Sequence, residues 1–106
     1  MNIITTNTDF IPGKQVAKIL GVVRGNTVRS RNIGRNIGAS FKSLVGGEIK
    51  TYTELINQAR DEAFNRMIND AIKLNADAVI NIRFMTSLIT MGDSEILAYG
   101  TAVKLK

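Results

Sequence analysis

Apolar residues between positions 51 and 74 recur at three- and four-residue steps, which is the pattern of an amphipathic helix. The apolar set consists of Tyr52, Leu55, Ile56, Ala59, Ala63, Met67, Ala71 and Leu74. Thr51 and Glu54 fit a capping box at the start, and Asn75 fits the left-handed residue that ends many helices. The sequence therefore predicts one long helix over residues 51–74 with a face that another element must cover.

Strand patterns precede this helix. Residues 2–6 are rich in β-branched side chains and predict a short strand. Residues 14–28 carry apolar side chains on both alternating faces. Such a strand is either covered on both sides or bent at Gly21 and Gly25, which points to a subunit interface or a barrel.

Two further strands are predicted after the helix. Side chains of residues 78–86 alternate between the two faces of a predicted strand. The face that carries Ala78, Ile80, Ile82 and Phe84 is expected to pack against the helix. Residues 92–94 form a predicted turn, and the last strand covers residues 95–105. These two strands form a predicted hairpin with a long loop.

The segment between residues 29 and 47 has a different period. Ile33, Ile37, Phe41 and Leu44 are separated by four, four and three residues, which predicts a short second helix. Gly34 and Gly38 give this helix a small-residue surface for close packing, and together with Phe41 they are candidate oligomer contacts. The alternative is that the segment is an ordered loop over a single core.

The predicted fold class is α+β, in which an antiparallel sheet packs against one long helix, and residues 1–106 form one domain. A helix of about 24 residues is roughly 36 Å long. A compact chain of this length is only about 34 Å across, so the helix crosses the whole domain. The two-faced strand and the glycine-rich segment both need partners, which favours a homo-oligomer.

Composition excludes several kinds of chemistry. The chain has no Cys and no His, so it has no thiolate or imidazole metal ligand and lacks the commonest general base. No nucleophile stands at a recognisable spacing from a base, so we expect a non-enzymatic protein with no cofactor. No signal-peptide pattern and no apolar run of membrane-spanning length are visible, which predicts a cytoplasmic protein without a membrane partner.

The charge balance suggests an anionic partner. Fourteen Lys and Arg against nine Asp and Glu give a net charge of +5. The densest basic stretch consists of Arg24, Arg29, Arg31, Arg35 and Lys42. The candidate anion or interface residues in this region are Arg29, Arg31, Asn32, Arg35 and Lys42. One interpretation is an anion or nucleic-acid binding module over residues 29–42. The other is that these side chains form inter-subunit ion pairs or face water.

Candidate metal ligands are few. The soft donors are the thioethers of Met1, Met67, Met85 and Met91, and Met67 lies on the apolar helix stripe, where a core role is expected. Pairs of acidic residues such as Asp61 and Glu62 carry no specific metal signature. No metal-ligating residue is therefore predicted.

Several short motifs extend over nearly the full chain in a specific order. They are Thr5-Thr6, Gly21-Val22-Val23-x-Gly25, Asn32-Ile33-x-Arg35, Val45-Gly46-Gly47, Tyr52, Ala59-Arg60, Ala76-Asp77-Ala78-Val79 and Gly100-Thr101-Ala102-Val103. On these motifs the chain resembles the YbjQ-like family of small bacterial proteins. The resemblance implies a dodecin-like β-α-β-β subunit that assembles into a ring, a pentamer.

The same resemblance carries the family description "putative heavy-metal-binding". Asn36 and Ser43 stand where relatives often have acidic residues, so this stretch is more basic than the family pattern. The expected function is a ring-forming homo-oligomer of unknown role that binds a ligand or partner at a central or inter-subunit surface. Anion binding is the alternative, and metal binding is the third hypothesis.

Overall fold

The computed structural model describes residues 2–30, 47–90 and 93–106. Its elements are β1 (Ile4–Thr5), β2 (Val16–Ser30), α1 (Gly47–Lys73), β3 (Ala78–Thr90) and β4 (Asp93–Leu105). The strands form one sheet in the order β1-β3-β4-β2, and α1 packs mainly over β2 and β4. The α+β class is confirmed. The sheet is mixed rather than antiparallel, because β1 runs parallel to β3.

Helix α1 begins earlier than predicted. It starts at Gly47, four residues before Thr51, so the predicted capping box at Thr51 is wrong. The residues in between, such as Glu48 and Lys50, are good helix formers, and they extend the helix toward its N-terminus. The side chains of residues 47–52 lie outside the described part of the structure.

The end of α1 agrees with the sequence prediction. Asn75 has a φ of 59°, in the left-handed region. The amide of Asn75 donates to the carbonyl of Ile72 at 3.0 Å, and the amide of Ala76 donates to the carbonyl of Ala71 at 3.1 Å. This pair of bonds is a Schellman motif, which satisfies two carbonyls that the helix leaves free.

The buried face of α1 consists mainly of alanines, together with Met67. Ala59, Ala63, Met67 and Ala71 are each 0% exposed, as the apolar stripe predicts. Leu74 is an exception at 42% exposed, since it follows the last helical residue. On the strand below, a Cβ at Gly25 would lie 2.5 Å from the Met67 nitrogen and even closer to the Ala63 carbonyl oxygen. The helix therefore contacts the backbone of β2 directly.

Strand β3 reverses its faces halfway along. The pairing with β4 is irregular between Ile80 and Arg83, where Asn81 has a φ of 55°. Before this bulge, Ala78 and Ile80 face away from α1, whereas Val79 belongs to the core under the helix. After it, Ile82 joins that core, and the ring of Phe84 stacks on Phe64 of the helix. The predicted helix-facing set is therefore right for Ile82 and Phe84 and wrong for Ala78 and Ile80, because a bulge shifts the alternation by one residue.

The β3–β4 hairpin is longer and tighter than predicted. β3 continues to Thr90 and pairs there with Asp93, so only two residues connect the strands. Asp93 and Ser94 lie in β4 instead of forming a turn. The predicted long loop is wrong because residues 87–90 keep strand pairing with residues 93–95.

Strand β2 pairs with β4 along nearly its whole length. A register shift lies between Ile19 and Gly21, as expected for a bend there, whereas Gly25 stands in regular register. Arg29 and Ser30 continue this strand, so they do not belong to a helix. The predicted glycine-rich helix otherwise falls on residues 31–46, outside the described residues.

Asp77 connects the end of α1 to the last strand. Its carboxylate accepts a hydrogen bond from the Leu105 amide at 2.9 Å and forms an ion pair with Lys104 at 3.2 Å. Lys104 also donates to the Asn75 carbonyl at 2.9 Å. The Leu105 amide, and after it the Lys104 ammonium, lower the pKa of the Asp77 carboxyl below its ordinary value.

We predict that Gly25→Ala destabilises the fold by about 2 kcal/mol or more, because the added methyl group pushes α1 off β2. Chemical denaturation at one fixed protein concentration measures the change. Asn26→Ala, on the exposed side of the same strand, is the matched control and should change the unfolding free energy by less than about 0.5 kcal/mol. Equal stability of Gly25→Ala and wild type would show that the helix does not need this close contact.

We also predict that Asp77 contributes to acid sensitivity. Because its folded-state pKa is lowered, its stabilisation is present above the unfolded pKa and is lost as the pH falls through the folded-state value. Urea unfolding across a pH series should show a smaller loss of stability on acidification for Asp77→Asn than for wild type. Asp61→Asn, on an exposed part of α1, is the control. An unchanged pH profile in Asp77→Asn would contradict the assignment.

Candidate functional site

Most of the residues that the sequence singled out lie outside the described part of the structure. This applies to Arg31, Asn32, Arg35 and Lys42, and to the candidate oligomer contacts Gly34, Gly38 and Phe41. The backbone of Arg29 lies in β2 opposite Ser94. The hypotheses about residues 29–42 therefore stay predictions.

The described residues cover only half of the side of the sheet opposite α1, which we call the outer face. Near one end, Ile11 of the N-terminal segment packs against Ala78, Ile80 and Val103. The other half has no cover from the described residues. It carries exposed apolar side chains, namely Val22 (75% exposed), Val28 (54%), Met85 (56%) and Tyr99 (36%).

The helix side of β3 is also incompletely covered. Phe84 stacks on Phe64 with 6.5 Å between the ring centroids, yet it remains half exposed. Leu88, further along the same face of β3, is 74% exposed. Because α1 packs mainly over β2 and β4, this end of β3 lies beyond the reach of the helix.

The sheet has two long edges without a strand partner among the described residues. β2 is the last strand on one side and spans 15 residues. On the other side, β1 pairs only with Ala78 and Val79, and the loop after it bonds to the amides of Asn81 and Ile82. The edge of β3 from Arg83 to Thr90 therefore pairs with no other strand in the described part of the chain. Open edges of this length are templates for pairing with another chain.

A row of three polar side chains crosses the uncovered half of the outer face. In the sheet register, Tyr99 on β4 stands opposite Arg24 on β2 and also opposite Arg83 on β3. All three side chains are exposed. The neighbouring row contains Asn26, Leu97 and Met85 in the same arrangement. We call the first set the Arg–Tyr–Arg row.

Neither arginine of this row is neutralised by a carboxylate in the described structure. The guanidinium of Arg83 donates to the carbonyl oxygens of Asn7 at 2.7 Å and Ile82 at 3.0 Å, which fixes its position without cancelling its charge. The ion pairs found among the described residues, Arg66–Glu62 and Lys104–Asp77, involve other side chains. The row therefore presents two cations beside an exposed aromatic ring.

Sequence reasoning missed two members of this row. Arg24 belongs to the basic stretch, but Arg83 and Tyr99 are far from it in sequence. Arg83 alternates with the predicted helix-facing set of its strand, whereas Tyr99 belongs to the apolar alternating set of the last strand with Leu97, Val103 and Leu105. Only the pairing register could have brought the two together. The bulge at Asn81 fixes that register, and the sequence pattern alone did not reveal the bulge.

The described residues offer little to a metal ion. They contain no group of three or more His, Cys, Asp or Glu side chains that could hold one. Met67 is fully buried in the core, as the helix stripe predicts, and Met85 stands exposed without other thioethers beside it in the sheet register. Within the same residues, no helix has both the length and the hydropathy to cross a membrane.

The family model and the related proteins place the chain in the same family. A family model, YbjQ_1, described as "Putative heavy-metal-binding", matches residues 3–106. A UPF0145 protein of Archaeoglobus fulgidus is 57% identical over 98% of this chain and 96% of its own, and one of Vibrio parahaemolyticus is 57% identical over 96% and 97%. The relatives thus include archaeal proteins, so the expectation of a purely bacterial family is too narrow.

A solved structure has the same fold. The crystal structure of a protein of unknown function of the DUF74 family, from Pediococcus pentosaceus, superimposes with a TM-score of 0.67. The match covers 100% of both chains at 17% sequence identity. At that identity the likeness supports the fold alone.

We predict that the protein binds Zn²⁺ or Cu²⁺ no more tightly than millimolar, because the whole chain lacks Cys and His. Isothermal titration calorimetry measures this affinity, on protein from which bound metal has been removed with a chelator. A homologous protein with a cysteine- or histidine-containing site, run in the same buffer, serves as the positive control. Micromolar affinity with whole-number stoichiometry would restore the metal hypothesis.

Proposed function

Because the chain belongs to the YbjQ-like family, we propose that it is a non-enzymatic, cytoplasmic subunit of a closed homo-oligomeric ring, a pentamer. The ring binds a ligand or partner at a central or inter-subunit surface. The observation that carries this proposal is the pair of unlike sheet edges that have no strand partner among the described residues, β2 on one side and the end of β3 on the other.

Unlike edges favour rings. A contact between two copies of the same edge closes after two subunits, whereas a contact between different edges leaves one free edge of each kind at the ends. Further copies then add until the rotation between neighbours closes the assembly. Pairing of strands across subunits would satisfy the free backbone groups of both edges.

The surface of a single chain is large for its mass. Its accessible area is 7213 Å², and its principal extents are 56 × 25 × 21 Å. A compact monomer of 11.6 kDa exposes roughly 5,800 Å². The excess includes large apolar side chains that are more than half exposed, such as Val22 and Leu88 near the two edges. Burial of these side chains between subunits would stabilise the assembly.

The non-enzymatic part of the proposal is supported by the residue inventory. The chain has neither His nor Cys, the usual base and the most reactive nucleophile. The family description leaves metal binding as an alternative ligand class, which the calorimetric titration decides. A basic surface for anions is the second alternative.

We predict that single charges at the two edges break the ring in different ways. Val22→Lys alters the β2 side and Leu88→Lys alters the β3 side, and both side chains are exposed in one chain, so each variant should still fold. Size-exclusion chromatography with light scattering should find wild type as a ring and each variant as a monomer. Native mass spectrometry of wild type gives the subunit number.

Mixing the two variants provides the sharper result. Each retains the edge that the other has lost, so an equimolar mixture should form a heterodimer and stop there. Gln58→Lys, on the exposed part of α1, is the control for added charge and should leave the ring intact. A monomeric wild type would refute the assembly. Homodimers of either variant alone would show that the contact joins like edges.

A further inference from the structure

The Arg–Tyr–Arg row has the chemistry of a surface for single-stranded nucleic acid. We propose that Arg24, Tyr99 and Arg83 bind a single strand of RNA or DNA, with a base stacked on the Tyr99 ring and adjacent phosphates on the two guanidiniums. The proposal does not depend on the ring, since one chain supplies all three side chains.

The first support is the arrangement of charge. The row places two arginines on either side of β4, about 10 Å apart at the backbone. Arg83 is held by neutral carbonyl oxygens, so its full charge remains available, and its position is fixed before a ligand arrives. Glu95 is the nearest acidic residue along the outward-facing positions of β4, and it lies four residues or about 13 Å from Tyr99. Along the outward-facing positions of β4, phosphates would therefore meet the two cations before a carboxylate.

The second support is the exposed aromatic ring between the cations. Tyr99 is 36% exposed on a sheet face, whereas the inward-facing positions beside it, Ala98 and Gly100, are buried. Bases stack on such rings without regard to sequence, because every base has a π face. The next row adds the exposed side chains of Asn26 and Met85, which supply a hydrogen-bonding amide and further apolar contact.

The openness of the surface decides the class of ligand. A free nucleotide or other small anion is usually bound in a concave site that encloses most of its surface. The Arg–Tyr–Arg row lies on a sheet face where all three side chains are exposed, and the cleft that the described residues form at Gly13, Lys14, Gln15 and Lys106 contains none of them. A duplex hides the faces of its bases in its own stack. A single strand, which can use several weak contacts along its length, fits an open face of this kind.

Fluorescence anisotropy with a labelled oligo-dT and an oligo-U of about twelve nucleotides tests the proposal at several salt concentrations. Wild type should bind both, with affinity that falls as salt rises. Arg24→Gln and Arg83→Gln should each lower the slope of log affinity against log salt by about 0.7 and weaken binding several-fold. Tyr99→Leu should weaken binding about tenfold, whereas Tyr99→Phe, which keeps the ring, should stay within about twofold.

Matched controls separate the row from general charge. Arg60→Gln removes the same charge from the exposed side of α1, where the Arg60 guanidinium donates a hydrogen bond to the Asn57 side chain, and should leave affinity within about twofold. If circular dichroism shows that Arg83→Gln is less stable than wild type, Arg83→Lys replaces it as the variant at that position. In a Tyr52→Phe background Tyr99 is the single tyrosine of a chain without Trp, so quenching of its emission on binding reports stacking directly.

Several results would overturn the proposal. These are no binding by wild type at low salt, an equal loss of affinity in Arg60→Gln and Arg24→Gln, and full affinity in Tyr99→Leu. A small-anion site would be shown instead if AMP or pyrophosphate displaced the oligonucleotide at a concentration equal to that of the oligonucleotide counted in nucleotides. Equal affinity for a duplex of the same length would show attraction to backbone charge alone.

Discussion

The close contact between α1 and the backbone of β2 is the constraint on which the rest of the structure depends. Gly25 offers no side chain, and Ala59, Ala63 and Ala71 offer only methyl groups, so the helix lies directly on that strand. A helix is about 10 Å wide with its side chains, and strands are about 4.8 Å apart. A helix centred near one edge can therefore cover two strands of the sheet but not the third, and the end of β3 is left exposed.

This off-centre position shapes both sides of the sheet. Under the helix, Val23, Ile96, Ala98 and Ala102 form a core with no exposed large side chain among them. Beyond the helix, the same face of β3 ends in exposed Leu88. On the outer face, the N-terminal segment covers only the end near Ala78 and Val103. Among the described residues the chain thus has one complete core, and the exposed end of β3 beside α1 is the surface that a second copy would cover in the proposed ring.

The parts of the fold that follow from local period were predictable from the sequence. The helix stripe gave the buried set of Ala59, Ala63, Met67 and Ala71, and the residue preference at a left-handed position gave Asn75 as the stop. The four strands were also found in order. Each of these features depends on neighbours within about four residues, and sequence periodicity reflects interactions over that range.

Features decided across strands were not predictable in the same way. The bulge at Asn81 reverses the faces of β3, and the space for it comes from Gly100 on β4, where a Cβ would lie 2.8 Å from a methyl of Val79. Neither residue signals the bulge alone. The parallel pairing of β1 with β3 is likewise set by contacts more than 70 residues apart in sequence. For the same reason Arg83 and Tyr99 could not be joined to Arg24 before the register was known.

The strand register also relates the Arg–Tyr–Arg row on the outer face to the proposed assembly. The Arg–Tyr–Arg row runs across the sheet from β2 to β3, that is, from one free edge toward the other. If strands pair across subunits, rows in adjacent copies continue along one extended sheet instead of facing one another. Repeated weak contacts on a linked surface raise overall affinity far above that of one copy. A ring of such subunits would therefore turn a modest site of two arginines and one tyrosine into a continuous binding surface.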